Sequence, residues 1–316
     1  MGAEGRRALR ARARLVLVVI TVGLVSLGAL APAVVPSIAH AQNMTEAEVG
    51  TSMQQLQQGT PEERAAAAEA LGRRAYRHRD RVAPVLRVLI REDADWRVRA
   101  SAGRAIGRLG TRDAVPDLVR ALRDPVVDVR VVAAAAIWRL PDPAAVLPLI
   151  ELLRDQDASA RQWAALALGV IRDRRAVPAL LGMMRDPEAA VRLDVIRSLG
   201  RIRDASAVPA LEECARDDAR AMDERLEAVS ALASLQGPEK VDSLVRLLES
   251  PSRDVRQRVI ESLGQVGDAL VIPALRRRRG AEVGAMRTAI DSAIREIETR
   301  GREGAPPGGA PRVPTP

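Results

Sequence analysis

The chain has 316 residues, 47% hydrophobic but only 1% aromatic, with three Trp, one Tyr and no Phe. A packed core is feasible, but it has to be built from Ala, Val, Leu and Ile, which argues against aromatic-rich β-sandwiches and against nucleic-acid modules that stack bases on rings. One Cys and two His exclude an intramolecular disulfide and a multi-Cys metal site, and the formal charge of +8 falls to +4, 44 basic against 40 acidic, once residues 1–41 are set aside. The remaining charges alternate in sign along the chain, as on a solvated surface rather than a polybasic arm. Lys240 is the only Lys, so nearly all positive charge is Arg.

Residues 1–41 read as an address. Arg6 to Arg14 form a basic stretch, Leu15 to Leu30 is an uncharged apolar run, and Ala39-His40-Ala41 is a small-residue site before Gln42. This is the layout of a secretory signal peptide cleaved after Ala41. The alternative is an uncleaved anchor, since Leu15 to Val35 is long enough to span a bilayer with the Arg cluster left in the cytoplasm. Both readings export the rest of the chain, to the periplasm or the exterior, or as a periplasmic domain on a single-pass inner-membrane anchor. The anchor is the one case in which a membrane contact is expected.

From about residue 60 to 280 the chain repeats itself. Arg99, Arg130, Arg161, Arg192, Arg225 and Arg256 are spaced 31, 31, 31, 33 and 31 apart. Asp93, Asp124, Asp155 and Asp186 lie six before the first four, and Ser250 takes that place before Arg256. Eight after each Arg come Gly107, Trp138, Gly169, Gly200, Ala233 and Gly264. Pro84, Pro116, Pro148, Pro178, Pro209 and Pro273 recur near the next helix start, where Pro fits the first turn. Ala164, Ala167 and Leu168 follow Arg161 at helical spacing, and Val195, Ser198 and Leu199 follow Arg192 likewise. Each unit therefore reads as two helices of about three turns, with Asp113, Asp173, Asp204 and Asp268 as N-caps of the first.

In chain order the spacing predicts eight antiparallel helix pairs. The first is Thr45–Gln58 with Pro61–Tyr76. Pairs two to seven begin near Arg81, Asp113, Pro143, Arg174, Ala205 and Pro238. The eighth, Ala269–Arg279 with Ala281–Thr299, is degenerate, as a terminal cap should be. The predicted fold is all-α, an α-solenoid over residues 42–300 with a period of about 31. The Pro/Gly-rich run of residues 301–316 lacks periodicity and is expected to be disordered.

The segment "VPALLGMMRDPEAAVRLDVIRSLGRIRDASAVPAL" and its siblings resemble the HEAT repeat superfamily, in the short form of phycobilisome-lyase-like repeats. The resemblance covers most of residues 60–280. It implies an α-solenoid whose second helices line the concave face, and it says little about function.

The residues of Asp93, Arg99, Asp124, Arg130, Asp155, Arg161, Asp186 and Arg192 recur in every unit, which fits a structural ladder better than a row of anion sites. Each Arg fork is expected to bond an Asp and nearby helix-end carbonyls. A second pattern lies two, five and nine residues after each Arg, on one helical stripe. There Val132, Ala135, Trp163, Leu166 and Val170 form an apolar centre, flanked by Arg104, Arg108, Arg139, Arg197 and Arg201. If exposed on the concave face, this is a partner-binding patch with a basic rim; strong curvature would instead bury it. Trp96 and Trp138 read as packing residues, Cys214 as a small core residue, His78 as a surface residue, and Arg276 to Arg279 as a solvated edge.

No phosphate loop, nucleophile elbow, metal cluster or other catalytic constellation is present in the sequence, and no cofactor is expected. The leading expectation is an exported, non-enzymatic scaffold that binds a protein or peptide on the concave face. The alternatives are an enzyme of the bilin-lyase type and, less favoured by the modest charge and scarce aromatics, a nucleic-acid-binding HEAT protein.

Overall fold

The computed structural model describes residues 43–303. The candidate signal peptide or anchor and the tail from residue 304 onward lie outside the described residues. Sixteen α-helices follow one another in eight antiparallel pairs, with no strand among the described residues. The pairs are α1 (Glu46–Gln58) with α2 (Pro61–Arg74), α3 (Arg79–Glu92) with α4 (Trp96–Leu109), α5 (Val115–Ala121) with α6 (Val127–Arg139), and α7 (Val146–Leu152) with α8 (Ala158–Ile171). They continue as α9 (Val177–Met183) with α10 (Ala189–Ile202), α11 (Val208–Arg216) with α12 (Met222–Ser234), α13 (Glu239–Leu247) with α14 (Arg253–Val266), and α15 (Ile272–Ala281) with α16 (Ala285–Glu303).

The first two helices start on capping boxes. Thr45 and Glu48 bond reciprocally before α1, and Thr60 and Glu63 do the same before α2. Several odd-numbered helices are shorter than the spacing predicts. Each of α5, α7 and α9 is a seven-residue helix preceded by a three-residue 3-10 turn. Before α7, α9, α11 and α15 the 3-10 turn is braced by Asp142, Asp173, Asp204 and Asp268, each of which accepts the N–H two residues on. Asp113 is not one of these caps. It sits inside its 3-10 turn, and Thr111 occupies the cap position. Pro84 also departs from the pattern, standing inside α3 rather than in its first turn. The last helix reaches Glu303, three residues into the stretch expected to be disordered.

Successive even-numbered helices pack directly on one another from α2 to α16. Small residues permit the approach. A Cβ added at Gly72 would lie 2.6 Å from the Cα of Ala105, at Gly107 3.1 Å from that of Ala136, and at Gly200 3.0 Å from that of Ala231. The odd-numbered neighbours come closest at α3·α5 and α11·α13. Each of those contacts carries a buried carboxylate: Asp117 with Arg87 at 2.6 Å, and Glu212 with Ser243 at 2.6 Å and with Arg246. A stack spaced more tightly along one row curves toward that row, so the even helices form the inner wall. Between the rows, Leu86, Ile106, Leu118, Ile137, Leu149, Leu168, Leu180, Ile196, Leu211 and Leu232 are fully buried in one continuous core. Each such side chain contributes about 1.5–3 kcal/mol through burial.

Candidate partner-binding face

The Asp–Arg pattern forms a chain of ion pairs between consecutive repeats. Arg99, Arg130 and Arg161 each reach forward to the acid of the next unit, 25 residues on, rather than to their own Asp. Arg99 donates to both oxygens of Asp124 at 2.7 and 2.9 Å, Arg130 to Asp155 at 2.6 and 3.0 Å, and Arg161 to Asp186 at 2.7 and 2.9 Å. The remaining Nη1 turns back onto the carbonyls five and six residues earlier, as in Arg161 to Gln156 and Asp155. The carboxylate in turn accepts the N–H two residues on, as Asp186 does from Glu188. Every rung thus ties a helix end, a turn and the next repeat together. Burial pushes the Asp155 and Asp186 carboxyls up, but the guanidiniums of Arg130 and Arg161 and the turn N–H groups outweigh it and hold both below their ordinary value.

Three rung members escaped the sequence pattern. Arg64 starts the chain by binding Asp93 at 2.8 Å. Glu224 receives Arg192 at 2.6 Å from a position 32 residues on, and Glu282 receives Arg256 at 2.8 Å. At Arg225 the series breaks, because the position 25 residues on is Ser250. Arg225 bonds the Ala215 carbonyl and lies 2.7 Å from exposed Asp218.

The apolar stripe is partly withdrawn from solvent. Val132, Ala135, Trp163, Leu166 and Val170 are all half-buried. Val132 lies over Gly103, close enough that a Cβ there would meet its Cγ1 at 3.0 Å. Trp138 and Trp163 meet edge to face, with ring centroids 6.0 Å apart, and the Arg139 guanidinium lies 5.8 Å from the Trp138 ring centre. Val132, Trp138 and Trp163 therefore pack against the core, while Ala135, Leu166 and Val170 stay half-buried on the wall. The stripe's second-position residues Ser101 and Asp194 are buried too. Arg104 and Arg108 both bind Glu69, which offsets one of their two charges. Burial would raise the Glu69 carboxyl, and the two guanidiniums hold it low instead.

The same stripe opens farther along. In repeats five to seven it lines a cleft of about 710 Å³ on the inner wall. Arg197 and Arg201 come from α10, Glu227, Ser230 and Ser234 from α12, and Arg258, Glu261 and Gln265 from α14. Arg172 and Arg203 complete it from the ends of α8 and α10. At the stripe positions themselves, eight short or polar side chains replace the Trp, Leu and Val of repeats three and four.

Other candidates are accounted for by their surroundings. Trp96 is 39% exposed at the start of α4 and does not cover the core, because as the first helical residue it projects beyond the inter-helix seam. Cys214 is buried, and burial pushes its thiol up to about 11, so it stays protonated. In the four-Arg run, Arg278 binds Glu249 and Glu282, and Arg279 binds Asp291. His78 lies 3.2 Å from Glu46. Among the described residues no cluster of His, Cys, Asp or Glu is placed to hold a metal ion, and no helix is long and apolar enough to cross a membrane.

The architecture matches known proteins through its repeat. The HEAT repeat family model matches residues 52–140, 121–192, 144–223 and 222–295. The YibA protein of Escherichia coli is 19% identical, with a TM-score of 0.50 over 80% of this chain and 82% of that one. An engineered protein is 18% identical, with a TM-score of 0.52 over 79% of this chain and 78% of that one. The complex of CpcE and CpcF of phycocyanin lyase from Nostoc is 20% identical, with a TM-score of 0.46 over 83% of this chain and all of that one. These likenesses concern the fold. No curated protein matches the chain in sequence. With four overlapping matches that together run from residue 52 to 295, the chain belongs to the HEAT repeat family.

Proposed function

We propose that this protein is an exported, non-enzymatic scaffold that binds a protein partner on the inner wall of its solenoid. The observation that carries the reading is the cleft of repeats five to seven, the stretch of the inner wall where the repeating stripe is open and polar rather than apolar and partly withdrawn. An α-solenoid presents such a wall as a long, rigid surface. Side chains held on packed helices keep their positions when a partner arrives, which limits the ordering cost of binding. Export is supported by the basic, apolar and small-residue succession of residues 1–41.

The test has two parts. Fractionation of cells expressing the full-length chain is expected to place it outside the cytoplasm; recovery in the cytoplasm contradicts export. Affinity capture from the envelope fraction, with the full-length chain as bait, is expected to return a protein that Arg201→Glu/Arg258→Glu no longer holds. Circular dichroism checks that this variant is folded. Equal capture by both baits moves the binding site off the cleft, and a turnover found with any captured protein contradicts the non-enzymatic reading.

A further inference from the structure

The cleft is uneven in charge. Five arginines and two glutamates line it, and only part of the positive charge is neutralised internally. Arg197 lies 3.1 Å from Asp194 and 3.6 Å from Glu227. Arg258 lies 3.7 Å from Glu261 and donates to Ser230 Oγ at 3.2 Å. Arg172 and Arg201 make no ion pair with any described residue, and Arg203 uses its Nε on the Ser234 carbonyl at 2.9 Å, which leaves its charge uncompensated. These three stand together at the ends of α8 and α10.

The backbone supplies a second, independent observation. Arg172 and Arg203 have φ of 59° and 65°, in the left-handed region, and among the described residues no other non-glycine does. The same position of the second repeat is Gly110, with φ of 74°. A side chain costs about 1–2 kcal/mol there. Stability alone therefore favours glycine at both places, yet both carry arginine, and both lie on the cleft wall. The negative end of a helix attracts an Arg, but Arg201, within the last turn of α10, already meets that attraction without backbone strain.

We propose that this cleft binds an acidic, extended segment of a protein partner, with carboxylates seated on Arg172, Arg201 and Arg203; this deepens the scaffold reading and rests on it. Arg forks match carboxylates in two-point geometry. The remaining wall selects a peptide over a phosphate polymer. Glu227 and Glu261 repel a continuous run of phosphates, while Ser230, Ser234 and Gln265 offer hydrogen-bonding partners to peptide N–H and C=O groups.

The experiment titrates the full-length protein with three labelled probes: an oligoglutamate, an oligoglutamine of equal length and a single-stranded oligonucleotide. Oligoglutamate is expected to bind at least about tenfold more tightly than oligoglutamine, and to weaken as salt is added. Arg172→Gly/Arg203→Gly is expected to lose about tenfold or more in oligoglutamate affinity. Its melting temperature should be unchanged or higher, because glycine takes the left-handed backbone without strain. Equal binding of the two peptides, or unchanged affinity in the double variant, overturns the proposal. So does tighter oligonucleotide binding that the double variant loses, which would give the cleft to a nucleic acid. Envelope capture separates the two levels. A partner held by the wild type and the double variant alike overturns the acidic-segment assignment and leaves the scaffold standing. No partner for either overturns the scaffold and the assignment with it.

Discussion

Repeats two to four and repeats five to seven place the same helical stripe on the same inner wall, with opposite results. In the first group Val132 closes over Gly103, Trp138 fills the slot that other repeats give to Gly or Ala, and Trp163 meets it edge to face. Glu69 takes up both Arg104 and Arg108. The apolar side chains are drawn partly into the wall there, and its charge stays positive, because Arg104 and Arg108 share one carboxylate. In the second group Ser, Gln, Glu and Arg hold the equivalent positions, and the wall opens into a cleft with unpaired positive charge. The ladder also changes character across this boundary. It runs without a gap from Arg64 to Glu224 and then breaks at Arg225, beside the one two-residue enlargement of the repeat. Position within a helical repeat therefore sets direction only. Side-chain volume and the charge of the adjoining repeat decide whether that direction ends in a seam or in solvent.

The largest effect expected of this contrast is on acid stability. Asp155 and Asp186 sit below their ordinary value of 3.8 in the folded chain. Their contribution is complete above the unfolded-state value and is lost as pH falls through the lower folded-state values. The melting temperature should be flat from about pH 7 to pH 5 and drop steeply below about pH 4. A melting temperature that holds down to about pH 2 would contradict the ladder.

A single rung should show the next largest effect. Arg161→Ala leaves Asp186 buried without its partner and is expected to cost about 3 kcal/mol in urea unfolding. No loss would mean that the rung is decorative. Overpacking the inner row comes third. Gly72→Ala places a methyl against the Ala105 backbone and should cost about 1–3 kcal/mol. The smallest effect should come from Arg203→Gly, stabilising by up to about 1 kcal/mol or neutral, since relief of strain offsets the lost bond to Ser234. A clear destabilisation there would assign Arg203 to the fold rather than to the cleft.

Much of the fold was legible because several features repeat at fixed offsets, so weak local signals reinforce one another. The eight pairs and their approximate starts could be read from Arg, Gly and Pro spacing alone. The shortness of the odd helices could not, since an Asp before a Pro-containing helix reads equally as an α-helix cap and as the start of a 3-10 turn. The forward reach of Arg99, Arg130 and Arg161 was hidden for a similar reason: each one's own Asp is six residues away in sequence, while the carboxylate it touches is 25 away and next to it only in space. The cleft was half legible. Arg197 and Arg201 stood out as a rim, but an apolar centre drew attention to Trp163 and Leu166, whose degree of exposure depends on helix spacing that no single sequence reveals. Arg172 and Arg203 did carry a signal. They hold the position that is Gly110 and Gly267 in other repeats, and an Arg where the repeat elsewhere uses Gly marks a departure from packing.

Hydrogen exchange on the full-length chain, with and without oligoglutamate, tests most directly whether binding belongs to repeats five to seven. Slowed exchange confined to α10, α12 and α14 is expected. Protection centred on α6 and α8, or none at saturating peptide, would contradict the assignment of the open cleft as the binding surface.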